Sequence, residues 1–252
     1  MTIALTTEAL PYPGVHNIRS LGGYRTETGQ VTRDDGYWRG CALTGIEAPH
    51  RDDLIGRGLR HVVDLRMLGE VDNDPNPLAG DPRVSYVNIP LYAGLAPIDQ
   101  MAQEADRDEG GFDMGYRYRR ALDECQDNIA SVLGHIAEAE EGGVYFHCTA
   151  GKDRTGIIAA LLLSNAGVPR DVVVAEYALT ERLGKPLMDR LRSAIQERGA
   201  SADRARRVIA SEPHTMAKTL VHLDEKYGGP VAYLERIGLD EAARRRLAAR
   251  LV

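Results

Sequence analysis

Residues 143 to 163 read GVYFHCTAGKDRTGIIAALLL, and this stretch limits the fold more than any other in the chain. Val144-Tyr145-Phe146 is a short apolar run, the pattern of a buried strand. Ile157 to Leu163 is apolar all round, the pattern of a buried helix. A buried strand that passes through one polar, glycine-bearing turn into a buried helix belongs in an α/β domain.

The rest of the chain fits that class. Residues 16–48 suggest short strands and turns, with Thr28-Gly29 at the tip of a hairpin joining 24–26 to 30–32. His61-Val62-Val63-Asp64-Leu65 reads as an inner strand, and Val84 to Leu91 as another, stopped at Pro90. Asp72 to Pro82, with its prolines and repeated Asp and Asn, reads as a loop. From Tyr116 to Glu141, Leu122, Cys125, Ile129, Val132, Leu133 and Ile136 recur at helical spacing, which predicts a helix ended by Gly142-Gly143. The helix beginning near Arg154 is predicted to end at Gly167, with Pro169 just beyond. After residue 170 only helical patterns remain: Asp171 and Asp240 are candidate caps, and Met216, Leu220 and Leu223 share one face. A single domain over 1–252 is expected, strand-rich over 12–169 and helical over 170–252. The acidic segment from Gly94 to Gly115 is expected to be mobile or a short helix.

Charge and cysteine usage remove several functions. The net charge is −6 and no Lys/Arg run is interleaved with aromatics, so a nucleic-acid partner is not expected. Cys41, Cys125 and Cys148 are odd in number and far apart, without zinc spacing; Cys41 and Cys125 read as small core hydrophobes. The remaining histidines show no metal-ligand spacing, so neither metal nor cofactor is expected. The opening MTIALTTEALPYPGV lacks a basic n-region and a long apolar core, and Ile157 to Leu163 is too short to cross a bilayer. A cytoplasmic protein without stable membrane insertion is the expectation.

The turn itself carries the chemistry. A strand running sharply into a helix aims the helix's first free N–H groups at the turn. Gly151 and Gly156 permit close backbone approach, and the five residues Thr149, Ala150, Gly151, Lys152 and Asp153 are about the number needed to wrap a phosphate with backbone amides. The same field favours a thiolate at Cys148. Arg154 can grip two phosphate oxygens with its planar fork, and the Thr155 hydroxyl can donate to the sulfur. His147 reads as a hydrogen-bonded orienter of the loop. Such an assembly supports in-line attack of sulfur on phosphorus, followed by hydrolysis of a cysteinyl-phosphate. A Walker A loop is excluded, because Lys152 precedes Asp153 and no glycine stands in register.

These residues fit Cys-x5-Arg-[Ser/Thr], and HCTAGKDRTG resembles the loop of the protein tyrosine phosphatase superfamily, in particular its bacterial atypical, LipA-like group of dual protein and phosphoinositide phosphatases. Asn17-Ile18-Arg19-Ser20-Leu21-Gly22-Gly23-Tyr24 resembles that group's amino-terminal segment, with Ser20 replacing the usual acid. Val63-Asp64-Leu65-Arg66 with Glu70, Tyr227-Gly228 and Ala232-Tyr233-Leu234 extend the likeness over roughly residues 12 to 252. The resemblance implies the phosphatase fold, a central and mostly parallel sheet flanked by helices. It also implies Cys148 as nucleophile and Arg154 as clamp.

Two aspartates compete as proton donor. Asp153 lies inside the loop, where the resembling group is thought to place its acid, and is favoured. Asp64, at a strand end, could hang over the pocket or simply pair with Arg66. By the same resemblance Lys152 favours substrates with extra anionic groups such as phosphoinositides; otherwise it is a solvated lysine adding positive potential. Arg117, Arg119 and Arg120 either rim an anionic pocket or begin a solvated helix, the second being favoured.

The expected activity is metal-independent phosphomonoester hydrolysis on phosphotyrosine protein or phosphoinositide. The same chemistry on a small phosphorylated metabolite is the alternative. Arsenate reduction needs resolving thiols with no evident local pairing here, and a non-catalytic phosphate-binding module would not retain Cys148 and Arg154.

Overall fold

The computed structural model describes residues 5, 7–98, 100–102 and 113–252. Half of the acidic segment expected to be mobile or a short helix, residues 99 and 103–112, therefore lies outside the described residues. Five strands form one sheet in the order β1-β2-β5-β3-β4. They are β1 Arg19–Ser20, β2 Tyr37–Gly40, β3 Leu59–Asp64, β4 Ser85–Asn88 and β5 Gly143–His147. Only β1 is antiparallel to its neighbour; β2, β5, β3 and β4 run parallel, with β5 in the middle. The β-branched run at 61–65 thus becomes an inner strand, as its composition required. Thr28-Gly29 does lie in a hairpin turn, closed by the antiparallel bridge between Arg25 and Val31.

Helices cover both faces. α1 Ala48–Gly56 sends Leu54 and Ile55 under one face, where they meet Val62, Trp38 and Tyr145. α2 Leu68–Asn73 follows β3. The other face carries α3 Met114–Glu124, α4 Gln126–Glu138, α5 Asp153–Asn165 and α6 Arg170–Leu183. It is closed by α9 Pro213–Tyr227, α10 Pro230–Arg236 and α11 Glu241–Ala249. Between them, α7 Lys185–Glu197 and α8 Ala202–Ile209 pack against each other and rest Met188 and Ile209 on Ala150.

The helix predicted over 116–141 is two helices. Cys125 leaves helical geometry at φ −109°, ψ 30°, and the break lets α3 pack on α9 while α4 packs on α11. α5 is buried over Thr155 to Leu163, the match to its apolar sequence. Asp240 caps α11 by accepting from the Ala243 N–H at 2.7 Å. Asp171 does not cap α6, whose N-cap is Pro169; its carboxylate takes only the Val172 N–H, at 2.9 Å.

Candidate active site

Cys148 follows the central strand directly, and α5 starts five residues later. Both adjoin parallel strands at their carboxyl ends, where ligands of open α/β sheets sit. The loop between can be this tight because residue 151 is glycine. Its φ is +68°, and a Cβ there would lie 2.2 Å from the Gly40 carbonyl.

The backbone N–H groups of Thr149 through Arg154 meet no acceptor among the described residues. Their direction is set from behind. Asn17 Nδ2 donates to the Ala150 carbonyl (3.3 Å) and the Gly151 carbonyl (3.1 Å), and Arg39 donates to the Gly151 carbonyl at 2.7 Å. In a planar trans peptide the N–H points opposite to the C=O, so holding those carbonyls turns the Gly151 and Lys152 N–H groups into the bowl. Asn17 adopts φ +64°, a left-handed conformation Asn tolerates, to present its amide there.

Arg39 is in turn fixed by a buried ion cluster. Glu176 receives Arg19 Nε at 2.7 Å and an Arg39 terminal nitrogen at 2.6 Å, and all three side chains are buried. Burial pushes the Glu176 carboxyl up, but the two guanidiniums hold it below the usual glutamate range. The amino-terminal motif around Asn17 and Arg19 is therefore part of the loop's support.

Cys148 is 2% exposed and stands at the start of this loop. Arg154 reaches over the loop, where Glu70 binds its two terminal nitrogens at 2.5 and 2.9 Å. The Thr149 hydroxyl also donates to Glu70. Burial raises the Glu70 carboxyl, yet Arg154 and Thr149 bring it down to about 2. The Arg154 guanidinium carbon lies 5.6 Å from the Tyr92 ring centroid. Arg154, Glu70 and Tyr92 line a cavity of about 350 Å³ that also takes in Asp153, Arg117, Leu95, Ile98 and Met114.

The two candidate acids have different surroundings. Asp153 lines this cavity, while Asp64 does not. Asp64 is fully buried, with both oxygens bound by Arg66 at 2.6 to 3.1 Å and one also receiving the Tyr86 hydroxyl. His147 is held at both ring nitrogens. Asn76 Oδ1 accepts from the Leu78 N–H, so its Nδ2 donates to His147 Nε2 at 2.9 Å, and Nδ1–H is left to donate to the Cys148 carbonyl at 3.2 Å. Burial lowers the imidazole below its ordinary value and keeps this neutral tautomer.

Two expectations need correction. Lys152 is neither solvated nor directed at the cavity. It is 1% exposed, and its ammonium donates to the Val208 and Ala210 carbonyls at the end of α8 and lies 3.2 Å from Asp153 Oδ1. Its charge is spent on free carbonyls of a helix C-terminus, a favourable place for a cation. The Thr155 hydroxyl does not reach the sulfur; it is buried with no hydrogen-bond partner. Of the arginines on α3, Arg117 rims the cavity, its guanidinium carbon 4.9 Å from the Tyr92 ring centroid. Cys41 and Cys125 are buried thiols, each pushed up to about 11 by burial.

Tyr92, Asn76, Arg39 and Glu176 were not singled out by sequence, and Tyr118 only as part of the arginine-rich helix start at 116–120. No local pattern marks them, since each is brought in from a different element; only the likeness at Asn17 and Glu70 pointed here.

Residues 10–252 match the tyrosine phosphatase family. A tyrosine-protein phosphatase of Nostoc commune is 33% identical over 223 residues, 86% of this chain and 74% of its own length. The triple specificity protein phosphatase PtpB of Mycobacterium tuberculosis is 31% identical over 270 residues, 93% of this chain and 96% of its own. Among the described residues no helix is long and apolar enough to cross a membrane.

Proposed function

The chain belongs to the tyrosine phosphatase family, and from that membership we propose that it hydrolyses aryl phosphomonoesters, phosphotyrosine first among them, through a phosphate carried on Cys148. The observation that carries the reading is that, among the described residues, the N–H groups of Thr149 to Arg154 in the loop after the buried Cys148 meet no acceptor.

The phosphate oxygens settle on those N–H groups and on Arg154, which supply the charge stabilisation of the transition state. The Cys148 thiolate attacks phosphorus in line with the ester oxygen. As the P–O bond breaks, Asp153 gives its proton to the departing phenolate, and phenol leaves. Asp153, now a carboxylate, takes a proton from water as the water oxygen attacks phosphorus. The P–S bond breaks, inorganic phosphate forms and the thiolate returns. His147, neutral and held at both nitrogens, moves no proton.

Substrate preference follows from the walls. Leu95, Ile98, Met114 and Tyr92 give the cavity apolar sides suited to an aromatic ring. Lys152, bound to α8, lends no support to recognition of a second phosphate.

Hydrolysis of an aryl phosphate in EDTA is the test, with phosphotyrosine peptides, phosphoinositides and nucleotides compared under one condition. Wild-type enzyme quenched in acid during turnover is expected to carry phosphate on the Cys148 peptide, and Cys148→Ser to be inactive. Turnover surviving in Cys148→Ser would sink the covalent route, and faster turnover of inositides or nucleotides would sink the substrate assignment.

A further inference from the structure

Asp153 is not alone at the mouth of the loop. The Tyr118 hydroxyl lies 2.6 Å from Asp153 Oδ1, and the Tyr177 hydroxyl lies 2.9 Å from that of Tyr118. Tyr118 has a single proton. Donating it to the carboxylate leaves its oxygen to accept, so Tyr177 must be the donor of the second bond. The chain runs from Tyr177 through Tyr118 to Asp153 Oδ1, and Lys152 lies 3.2 Å from that same oxygen. Asp153 Oδ2 has no hydrogen-bond partner among the described residues.

Both tyrosines are fixed by packing. Tyr118 on α3 and Tyr177 on α6 are buried, and their rings meet edge to face with centroids 6.0 Å apart. Gly156 makes room for this, because a Cβ there would lie 3.0 Å from the Tyr177 ring. Burial, reinforced by the Asp153 charge, holds the Tyr118 hydroxyl well above its ordinary value, so it stays a donor throughout the working pH range.

We propose that Tyr118, backed by Tyr177, is a positioning residue for proton transfer: by occupying Oδ1 it confines the acidic proton of Asp153 to Oδ2, the oxygen left to face the ester. This rests on Asp153 being the proton donor. A carboxyl free to rotate spreads its proton over two oxygens and two orientations, only some of which point at the leaving group. The tyrosine pair removes that freedom without touching substrate.

The test compares wild type, Tyr118→Phe, Tyr177→Phe and Asp153→Asn on a series of phosphate esters from dinitrophenyl through phenyl to alkyl. General acid catalysis matters most for the poorest leaving groups, so a misplaced acid steepens the dependence on leaving-group pKa. Tyr118→Phe is expected to lower kcat on phenyl and alkyl esters by roughly 10-fold or more while dinitrophenyl ester changes by about twofold or less and KM holds. Tyr177→Phe should bend the series the same way, more weakly. A uniform loss across all esters, or no change, in both tyrosine variants while Asp153→Asn shows the bias overturns the positioning role and leaves the acid assignment standing. An unbiased Asp153→Asn overturns both.

Discussion

Both terminal nitrogens of the Arg154 guanidinium are held by one carboxylate, that of Glu70, at 2.5 and 2.9 Å. An arginine side chain loses much rotamer freedom when it is fixed, and here that loss is met in the free enzyme before phosphate arrives. Glu70 also takes the Thr149 hydroxyl, so the clamp and the loop are tied to one anchor on α2. Glu70→Gln is expected to lower kcat/KM by about 10-fold through looser Arg154 placement and to weaken vanadate inhibition in parallel. Steady-state kinetics with vanadate titration checks this; tighter vanadate binding in the variant would mean that Glu70 competes with phosphate for Arg154.

The same pair sets a pH signature. Glu70 has a folded-state value of about 2 against an ordinary 4.5. A depressed carboxylate stabilises the fold fully above its unfolded value, and the contribution disappears as pH falls from there through about 2. Glu70 is about a third exposed, so solvent screening limits the pair to about 1 kcal/mol. Denaturant melts of wild type and Glu70→Gln should differ at pH 7 and converge as pH drops below 4.5. A gap that persists or widens in acid contradicts the ion pair.

How legible this was follows the range of the interactions. Strand β5, the loop and α5 are contiguous in sequence, and their pattern alone placed Cys148 and Arg154 at a strand-to-helix turn. The supports were not legible, because Tyr118 and Asn76 bond Asp153 and His147 across 35 and 71 positions, Glu176 acts through Arg39, 112 positions from Gly151, and none carries a periodic signal of its own. The break at Cys125 was missed because both halves of that segment keep apolar residues at helical spacing, and only their different packing partners divide them. Lys152 was misplaced for a related reason. Nothing near it in sequence shows that α8 ends above it with two free carbonyls.

That placement predicts how Lys152 behaves. Lys152→Met keeps the aliphatic stem and removes the donors, leaving the partly buried carbonyls of Val208 and Ala210 unsatisfied. A loss of about 1–3 kcal/mol in stability is expected. Activity toward singly and multiply phosphorylated substrates should fall by the same factor, since the ammonium serves α8 and Asp153 rather than substrate. Parallel thermal melts and kcat/KM on both substrate kinds measure it. A selective loss on multiply phosphorylated substrates would restore the substrate-binding role.

The strongest single prediction concerns Glu176. Among the described residues no other carboxylate pairs with Arg19 or Arg39, and all three side chains are buried. Replacing it with alanine leaves two like charges facing each other without solvent, which is expected to cost about 3–5 kcal/mol. For a chain of this size that is a fall in melting temperature of about 10 °C. Glu176→Gln keeps the shape and one acceptor but not the charge, so it should fall between wild type and alanine. The consequence also reaches the loop, because Arg39 aims the Lys152 N–H by holding the Gly151 carbonyl. At a temperature where Glu176→Gln remains folded, phosphate and vanadate should bind more weakly than to wild type, while a surface change such as Asp35→Asn should leave both unaffected. Unchanged anion affinity in a folded Glu176→Gln enzyme would separate the ion cluster from the site and make it a matter of stability alone.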